Sequence, residues 1–171
     1  MTQANPSPGL SQAGSISALE VMSYSPEETQ KIGKRLGGEA KAGDVFLLVG
    51  GLGSGKTCLV QGLAAGLGVE DVVSSPSFVL LKQYRGRLPL YHIDLYRVDR
   101  REEVEDLGLE DYLSGPGVMV VEWADRGWGV WPQDHLLIEM DYLAETQRRL
   151  NIKAHGSRYE VLLQNLQQTW S

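Results

Sequence analysis

The chain has 171 residues, of which 42% are hydrophobic and 22% are charged, and its formal net charge is −6 at pH 7. This length is enough for one domain with a sizeable core and too short for two ordinary domains. The negative charge argues against a general nucleic-acid or anionic-membrane surface, which needs clustered Lys and Arg, but it leaves room for a small basic nucleotide site.

The cysteine content and the hydropathy bear on where the protein works. Cys58 is the single cysteine, so an intrachain disulfide and a thiolate metal cluster are both excluded, as is typical of a reducing compartment. No apolar run reaches membrane-spanning length, and the N-terminus lacks the features of a secretory signal. The sequence therefore predicts a cytoplasmic protein that does not contact a membrane.

The first part of the chain differs in composition from the rest. Residues 1–20 are rich in Ser, Pro, Gly, Ala and Gln and have few apolar side chains. Such a segment cannot bury enough apolar surface to fold, so we expect a disordered N-terminal extension. Residues 21–171 are expected to form a single folded domain.

The segment that follows this extension carries helix signals at both ends. Ser25 is a good N-cap, Pro26 suits the first helical turn, and Glu28 completes a capping box. Gly37 and Gly38 are expected to end the helix, because glycine commonly follows the last helical turn.

Apolar runs and helical periodicity predict the remaining elements. Residues 44–50 form a continuous apolar run, as expected of a strand buried on both faces, and a glycine-rich turn leads from it into an amphipathic helix that ends at Gly68. Two further strands are expected at 78–84 and 88–96, with a hairpin turn between them at 85–87, and a short acidic helix capped by Asp99 follows. Later strands are expected at 117–123, 134–142 and 148–156, and a last helix at 158–168. These elements predict an α/β domain of three layers, with a mixed, partly parallel central sheet and antiparallel C-terminal strands.

The glycine-rich turn contains the pattern Gly50-x-x-x-x-Gly55-Lys56-Thr57, which is that of a phosphate-binding loop, or P-loop. Glycines let backbone N–H groups approach phosphate oxygens, and the following helix adds the free N–H groups and positive dipole end of its first turn. Lys56 can reach the β- and γ-phosphates, and the Thr57 hydroxyl can ligate Mg²⁺. The predicted fold is therefore that of a P-loop NTPase, and the predicted nucleotide contacts are Gly51, Leu52, Gly53, Ser54, Gly55, Lys56, Thr57 and Cys58.

Two acidic residues that follow apolar segments are candidates to complete a Mg²⁺ site. Glu122 ends the run VMVVE, and Asp94 ends the run LYHID. Beside a phosphate loop, either carboxylate can ligate the metal directly or through water, or orient the attacking water, and the sequence does not separate these roles. His92, in the same run as Asp94, is expected to make a structural hydrogen bond.

Three other kinds of protein share such a loop. A regulatory GTPase is disfavoured, because the guanine-reading N-K-x-D sequence is absent. A small-molecule kinase needs an acceptor pocket, usually under an arginine-bearing lid, and no obvious lid is present. A module that binds a nucleotide without hydrolysing it is disfavoured by the two strand-end acids. The kinase and the regulatory nucleotide-binding module stay open as alternatives.

Six motifs occur in a fixed order between Ser25 and Asp141: SPEET, GGLGSGKT, SSPSFVLLKQY, LYHIDLYR, LGLEDYL and VEWADR. Together they resemble the TsaE family (formerly YjeE), the small P-loop ATPases of tRNA threonylcarbamoyladenosine biosynthesis. The loop alone is common, but its combination with SP-[ST]-F, YHxDLYR and a Glu-Trp strand end is much more specific.

The resemblance implies roles for four residues. Lys56 and Thr57 match the family's positions at the phosphates and Mg²⁺, and Asp94 and Glu122 match acids needed for metal binding and hydrolysis. The resemblance thus implies Lys56, Asp94 and Glu122 as catalytic residues, and Thr57, Glu122 and Asp94 as metal ligands.

Three further residues are expected to contact the nucleotide. Trp123 matches the family's functional tryptophan, although Ala replaces the Pro that usually follows it. Ser77 lies in a switch-like segment near the γ-phosphate, where the family usually has Thr, and both residues carry a hydroxyl. Thr29 and the loop before the first helix are our prediction for the adenine contacts.

The family's activity defines the function that the resemblance implies. It is a weak, Mg²⁺-dependent ATPase that acts with the TsaD–TsaB pair, which transfers threonylcarbamoyl to adenosine 37 of tRNA. The acidic charge of this chain agrees with a protein that meets tRNA through these partners rather than directly.

Overall fold

A seven-stranded mixed sheet forms the centre of the computed structural model, which describes residues 17–77 and 80–170. Its strands are β1 (Ala18–Ser23), β2 (Val45–Val49), β3 (Leu81–Tyr84), β4 (Leu90–Asp94), β5 (Val118–Glu122), β6 (His135–Ala144) and β7 (Gln147–His155). They lie in the order β1-β7-β6-β2-β5-β4-β3. β6, β2, β5 and β4 are parallel, whereas β3, β7 and β1 each pair antiparallel with a neighbour.

Helices pack on both faces of this sheet. They are α1 (Pro26–Glu39), α2 (Lys56–Gly66), α3 (Arg101–Glu105), α4 (Glu110–Leu113) and α5 (Ser157–Trp170), with a 3₁₀ helix at Ala124–Gly127. No helix within the described part of the chain is long and apolar enough to cross a membrane.

Alternating side chains of the central strands build two apolar cores. In β2, Phe46 and Leu48 pack with the core that includes α1, α2 and α5, whereas Val45 and Leu47 pack with the core that includes α3 and α4. Side chains in a strand point to opposite faces in turn, so a strand that is apolar throughout must be covered on both sides. The predicted three-layer α/β fold with a mixed sheet and antiparallel C-terminal strands is confirmed.

Helices α1 and α2 approach each other backbone to backbone. A Cβ on Gly33 of α1 would lie 2.2 Å from the Leu59 carbonyl oxygen, and a Cβ on Gly62 of α2 would lie 2.1 Å from the Gln30 carbonyl oxygen. Neither position has room for a side chain. The helix that begins at the phosphate loop is therefore anchored along its length to α1.

The start of α1 agrees with the sequence, and its end does not. The Ser25 hydroxyl accepts a hydrogen bond from the Glu28 backbone N–H at 3.1 Å, so the predicted N-cap is confirmed. The predicted end at Gly37 and Gly38 is wrong, because α1 continues to Glu39. Gly37 instead serves the contact with α2, since its Cβ would lie 2.1 Å from the carbonyl oxygen of Leu63.

Two other expectations need correction. Residues 18–20, predicted to belong to the disordered extension, form the start of β1, which pairs with β7 and places Ala18 opposite Lys153. Residues 1–16 lie outside the described residues, so their predicted disorder stays a prediction. The predicted cap by Asp99 is also wrong, because α3 has Arg100 at its N-cap position and no side-chain capping bond.

The predicted hairpin is present, and its strands are shorter than expected. β3 and β4 pair antiparallel, with Tyr84 opposite Leu90, so the turn spans 85–89. The strand predicted at 78–84 begins at Leu81, and residues 78–79 lie outside the described ranges.

Candidate active site

The glycine-rich loop and the two predicted acids meet at the carboxyl ends of the parallel strands. β2 is followed directly by the loop at 50–55, and α2 begins at Lys56. Asp94 and Glu122 are the last residues of β4 and β5, and they are opposite each other in the register of these two strands. Open α/β sheets bind ligands in the crevice outside their carboxyl strand ends. The topology therefore brings the loop and both acids to one edge of the sheet.

A cleft of about 390 Å³ lies at this edge. Its lining includes most of the residues that the sequence singled out. They are Leu52, Gly53, Gly55, Lys56, Thr57, Cys58, Ser75, Ser77, Asp94, Tyr96, Glu122 and Trp123. Gly51 and Ser54 belong to the same loop but do not line the cleft, and Thr29 lies elsewhere.

The backbone of the loop depends on glycine at two positions. Gly53 and Gly55 have φ angles of 75° and 96°, in the left-handed region that side chains disfavour. Gly55 also occupies the N-cap position of α2 and offers no side-chain cap, so the first N–H groups of the helix stay available to a ligand.

Lys56 is the buried cation of the loop. Its side chain is folded back so that Nζ donates to the carbonyl oxygens of Gly50 at 2.6 Å and Gly51 at 2.7 Å, and to the Ser54 hydroxyl at 3.1 Å. These bonds offset the loss of water around the ammonium group of a residue that is only 5% exposed.

Opposing electrostatic effects act on the Lys56 ammonium. Burial lowers its pKa from the ordinary value, because the charged form loses hydration, while the negative charges of Glu122, Asp94 and Asp125 act in the other direction. The ring of Trp123 lies 4.2 Å from Nζ, which adds a cation–π contact to the charged form. Burial is the largest of these effects, so the pKa of Lys56 is lowered on balance, and the neighbouring acids offset only part of the shift.

Thr57 and Glu122 are in direct contact. The Thr57 hydroxyl donates to Glu122 Oε1 at 2.7 Å. The second carboxylate oxygen, Oε2, lies 2.6 Å from Nε2 of His92. Glu122 is 2% exposed and His92 is fully buried, so the expected hydrogen bond of His92 is made to the candidate acid itself.

Asp94 is held by a different set of partners. Its Oδ1 accepts from the Tyr96 backbone N–H at 2.9 Å. Its Oδ2 accepts from the hydroxyls of Ser75 and Ser77, the latter at 3.1 Å, and the two hydroxyls lie 2.8 Å apart. The segment before β3 is thus bonded to the acid at the end of β4.

Trp123 covers one side of the cleft in an unusual backbone conformation. Its φ and ψ angles are 58° and 40°, which place a bulky residue in the left-handed region directly after β5. Its ring lies 5.1 Å from that of Tyr96, and the Arg126 guanidinium lies 5.2 Å from the Trp123 ring. Arg126 also donates to the Val98 carbonyl oxygen at 2.9 Å, so it braces this aromatic wall.

Thr29 lies at a smaller, adjacent cavity. This cavity of about 90 Å³ is lined by Ser25, Pro26, Thr29, Gly55, Cys58, Glu145, Thr146 and Arg148. It shares Gly55 and Cys58 with the cleft. Thr29 is buried and its hydroxyl is bonded to the Ser23 hydroxyl at 2.7 Å, so its polar atom is already satisfied.

Sequence reasoning missed three residues of the site. Ser75 and Tyr96 line the cleft and bond or flank Asp94, and Arg126 stacks on Trp123. The sequence did contain a signal for Ser75, because the segment SSPS at 74–77 places a second hydroxyl two residues before Ser77. Tyr96 and Arg126 lie in the motifs LYHIDLYR and VEWADR, but their contacts in the site depend on how β4 and β5 pair.

The fold and this cleft define a P-loop protein, in which a loop rich in glycine joins a buried parallel strand to a helix. A family model described as "Threonylcarbamoyl adenosine biosynthesis protein TsaE" matches residues 23–150. The chain belongs to the TsaE family, and the resemblance seen in its motifs is confirmed.

Two relatives and one solved structure are similar to this chain over most of its length. The tRNA threonylcarbamoyladenosine biosynthesis protein TsaE of Bacillus subtilis (strain 168) is 44% identical over 149 residues, which cover 86% of this chain and 93% of the relative. The TsaE of Treponema pallidum (strain Nichols) is 38% identical over 134 residues, covering 78% and 99%. A crystal structure of Bacillus subtilis YdiB matches with a TM-score of 0.79 and 38% identity, over 90% of this chain and 97% of that one.

Proposed function

We propose that this protein is a Mg²⁺-dependent ATPase of slow intrinsic turnover that acts in tRNA threonylcarbamoyladenosine biosynthesis with TsaD and TsaB. The observation that carries the chemical part is the convergence of Lys56, Thr57, Asp94 and Glu122 in one cleft at the carboxyl edge of the sheet. Family membership supports the biosynthetic part.

The phosphates of ATP fit the loop. Backbone N–H groups at the start of α2, an 11-residue helix, carry the positive end of its dipole towards the cleft. Lys56 supplies the cation, and its ammonium group exchanges carbonyl partners in the loop for phosphate oxygens. A charge-assisted bond to phosphate is stronger than a bond to a neutral carbonyl, so this exchange favours binding.

The residues present also fit Mg²⁺. The Thr57 hydroxyl and the Glu122 and Asp94 carboxylates are hard oxygen donors, which this metal prefers. No group of three or more His, Cys, Asp or Glu side chains forms a metal cage within the described residues. Mg²⁺ in nucleotide sites takes most of its ligands from phosphates and water, so one or two protein oxygens suffice. When bound, it would neutralise charge that builds up on the phosphate oxygens.

The two acids take separate roles in this proposal. Glu122 contacts the Thr57 hydroxyl, so we assign it to the metal side of the cleft. Asp94 contacts Ser75 and Ser77, so we assign it, with the Ser77 hydroxyl, to the water that attacks the γ-phosphate. Trp123 shields the reacting phosphate from bulk water, which strengthens the charges inside the cleft.

The adenine is assigned to the cavity beside Cys58. This cavity adjoins the first turn of α2 and shares the lining residues Gly55 and Cys58 with the cleft. Because the Thr29 hydroxyl is bonded to Ser23, Thr29 would contact the base through its methyl group.

The proposal is tested by ATP turnover with Mg²⁺, measured for the protein alone and with purified TsaD and TsaB. Stimulation by the pair, abolished by Lys56→Ala and by EDTA but not by Lys34→Ala on the outside of α1, is the expected result. ATP binding without stimulation would overturn the partnership, and turnover that requires a small phosphoryl acceptor would favour the kinase alternative.

A further inference from the structure

A buried histidine contacts the acid assigned to the metal side of the cleft. His92 lies in the middle of β4 and is 0% exposed. Its Nε2 lies 2.6 Å from Glu122 Oε2, while Glu122 Oε1 accepts from the Thr57 hydroxyl at 2.7 Å. Each oxygen of this carboxylate thus has its own partner, one from α2 and one from β4.

Sheet geometry fixes this contact. Asp94 is the register partner of Glu122, and His92 precedes Asp94 by two residues in the same strand. Side chains two residues apart in a strand share a face, so His92 reaches the face on which Glu122 lies. Both belong to neighbouring parallel strands, whose backbone cannot move independently of the sheet.

The hydrogen-bond chemistry assigns the proton. The form of Glu122 that ligates a metal is the ionised carboxylate, which can only accept a hydrogen bond, so in that form Nε2–H of His92 is the donor. His92 Nδ1 is buried and has no hydrogen-bond partner within the described part of the chain. A proton on Nε2 therefore serves the contact with Glu122, and Nδ1 takes no part in it.

Packing alone does not explain a histidine at this position. The neighbours of His92 on its sheet face include Leu90 and Val120, which are fully buried apolar residues. A leucine would fill such a place without leaving a buried nitrogen unpaired, an arrangement that is uncommon and costly in folded proteins.

We propose that His92 is a positioning residue that orients the Glu122 carboxylate towards Thr57 and the metal side of the cleft. This inference rests on the proposed ATPase function. His92 acts as outer partners of metal-binding groups do: they restrict the rotation of a carboxylate before the metal arrives, and their loss commonly costs about 10–100-fold in activity or metal affinity.

The first test compares two variants of similar volume. His92→Gln keeps an N–H donor that can reach Glu122, whereas His92→Leu packs in the same space without a donor. We expect His92→Leu to lower kcat for ATP by about 10–100-fold with KM changed by less than about threefold, and His92→Gln to retain kcat within about threefold. A packing role predicts the opposite order, with Leu better tolerated than Gln, and that order would overturn the proposal.

A double-mutant cycle shows whether His92 acts through Glu122. If it does, His92→Leu causes no further loss of kcat in a Glu122→Gln background. Losses that multiply in the double variant would contradict the assignment. Thermal unfolding of each variant separates these outcomes from failure to fold.

A second readout does not depend on turnover. The chain has three histidines, so side-chain ¹H–¹⁵N spectra of the wild type and His92→Gln identify the His92 signals. We expect a proton on Nε2 that is protected from exchange and that loses this protection in Glu122→Ala. A proton on Nδ1, or a signal that is the same in Glu122→Ala, would overturn the proposal. If the wild type shows no ATP turnover, the proposed function fails and the spectra still decide the role of His92.

Discussion

The two halves of the candidate site are built in different ways. The loop half, residues 50–58, is one continuous stretch that runs from the end of β2 into the first turn of α2. The acid half takes side chains from three separate segments of the chain. Its members are Ser75, Ser77, Asp94, Tyr96, Glu122 and Trp123.

The structure of the loop half is determined by residues that are close in sequence, whereas that of the acid half is determined by contacts between distant parts of the chain. The loop half is fixed by glycines with positive φ and by its place before a helix, both of which are properties of neighbouring residues. The acid half exists because β4 and β5 are parallel and in one particular register, with Asp94 opposite Glu122. We therefore expect changes in the loop half to remove nucleotide binding, and changes in the acid half to remove turnover while binding persists.

Outside the phosphate loop itself, the largest effect is expected for Glu122→Gln. This change removes the negative charge beside Thr57 but keeps the side-chain volume, so turnover should fall roughly 100-fold, while the dissociation constant for ATP changes less than about threefold. Turnover with Mg²⁺ and calorimetric ATP binding measure the two quantities. The matched control is Glu139→Gln, since the Glu139 side chain is 37% exposed, pairs with Lys153 and does not line the cleft. Turnover at the wild-type rate in Glu122→Gln would show that Glu122 has no part in ATP hydrolysis.

A smaller effect is expected where the loop half is anchored. Gly62→Ala places a Cβ 2.1 Å from the Gln30 carbonyl oxygen, so α1 and α2 must separate, at a cost of about 2 kcal/mol in the free energy of unfolding. Gly38→Ala is the control, because a Cβ there meets nothing within 4 Å, and it should stabilise α1 by about 0.5–1 kcal/mol. Urea unfolding measures both changes. Equal effects of the two substitutions would refute the close contact of α1 with α2.

The smallest effect is expected for the serines that hold Asp94. Ser75→Ala and Ser77→Ala each remove one of two hydroxyls bonded to the same carboxylate oxygen, so each should lower turnover by less than about tenfold. The double variant should lose more than the product of the single losses, because Oδ2 then has neither partner. Independent, multiplicative losses would show that the hydroxyls do not act through Asp94.

Much of the fold could be predicted because its elements have local signals. An apolar run, the glycine pattern and helical spacing predict the buried strand, the loop and α2, and the ends of apolar runs predict the two acids. The start of β1 was missed because Ala18, Leu19 and Glu20 follow a segment poor in apolar residues, and their strand forms only by pairing with β7. The end of α1 was misjudged because Gly37 serves a contact with another helix rather than a cap.

The sequence predicted most of the residues that belong to the candidate site, but it did not predict the contacts between them. That Lys56, Thr57, Asp94 and Glu122 were candidates followed from residue type and position along the chain. That the Glu122 carboxylate lies between Thr57 and His92 could not be read from the sequence, because those three residues are brought together only by the pairing of β4 with β5 and the packing of α2.

The most direct test of this division is to measure ATP affinity and ATP turnover side by side in Lys56→Ala and Glu122→Gln, with Mg²⁺ and the TsaD–TsaB pair. We predict that Lys56→Ala weakens ATP binding by at least about 100-fold and abolishes turnover, whereas Glu122→Gln binds ATP almost as the wild type does and hydrolyses it roughly 100-fold more slowly. If both variants lose affinity and turnover in the same proportion, the loop half and the acid half do not divide binding from chemistry, and the proposed division of the site is wrong.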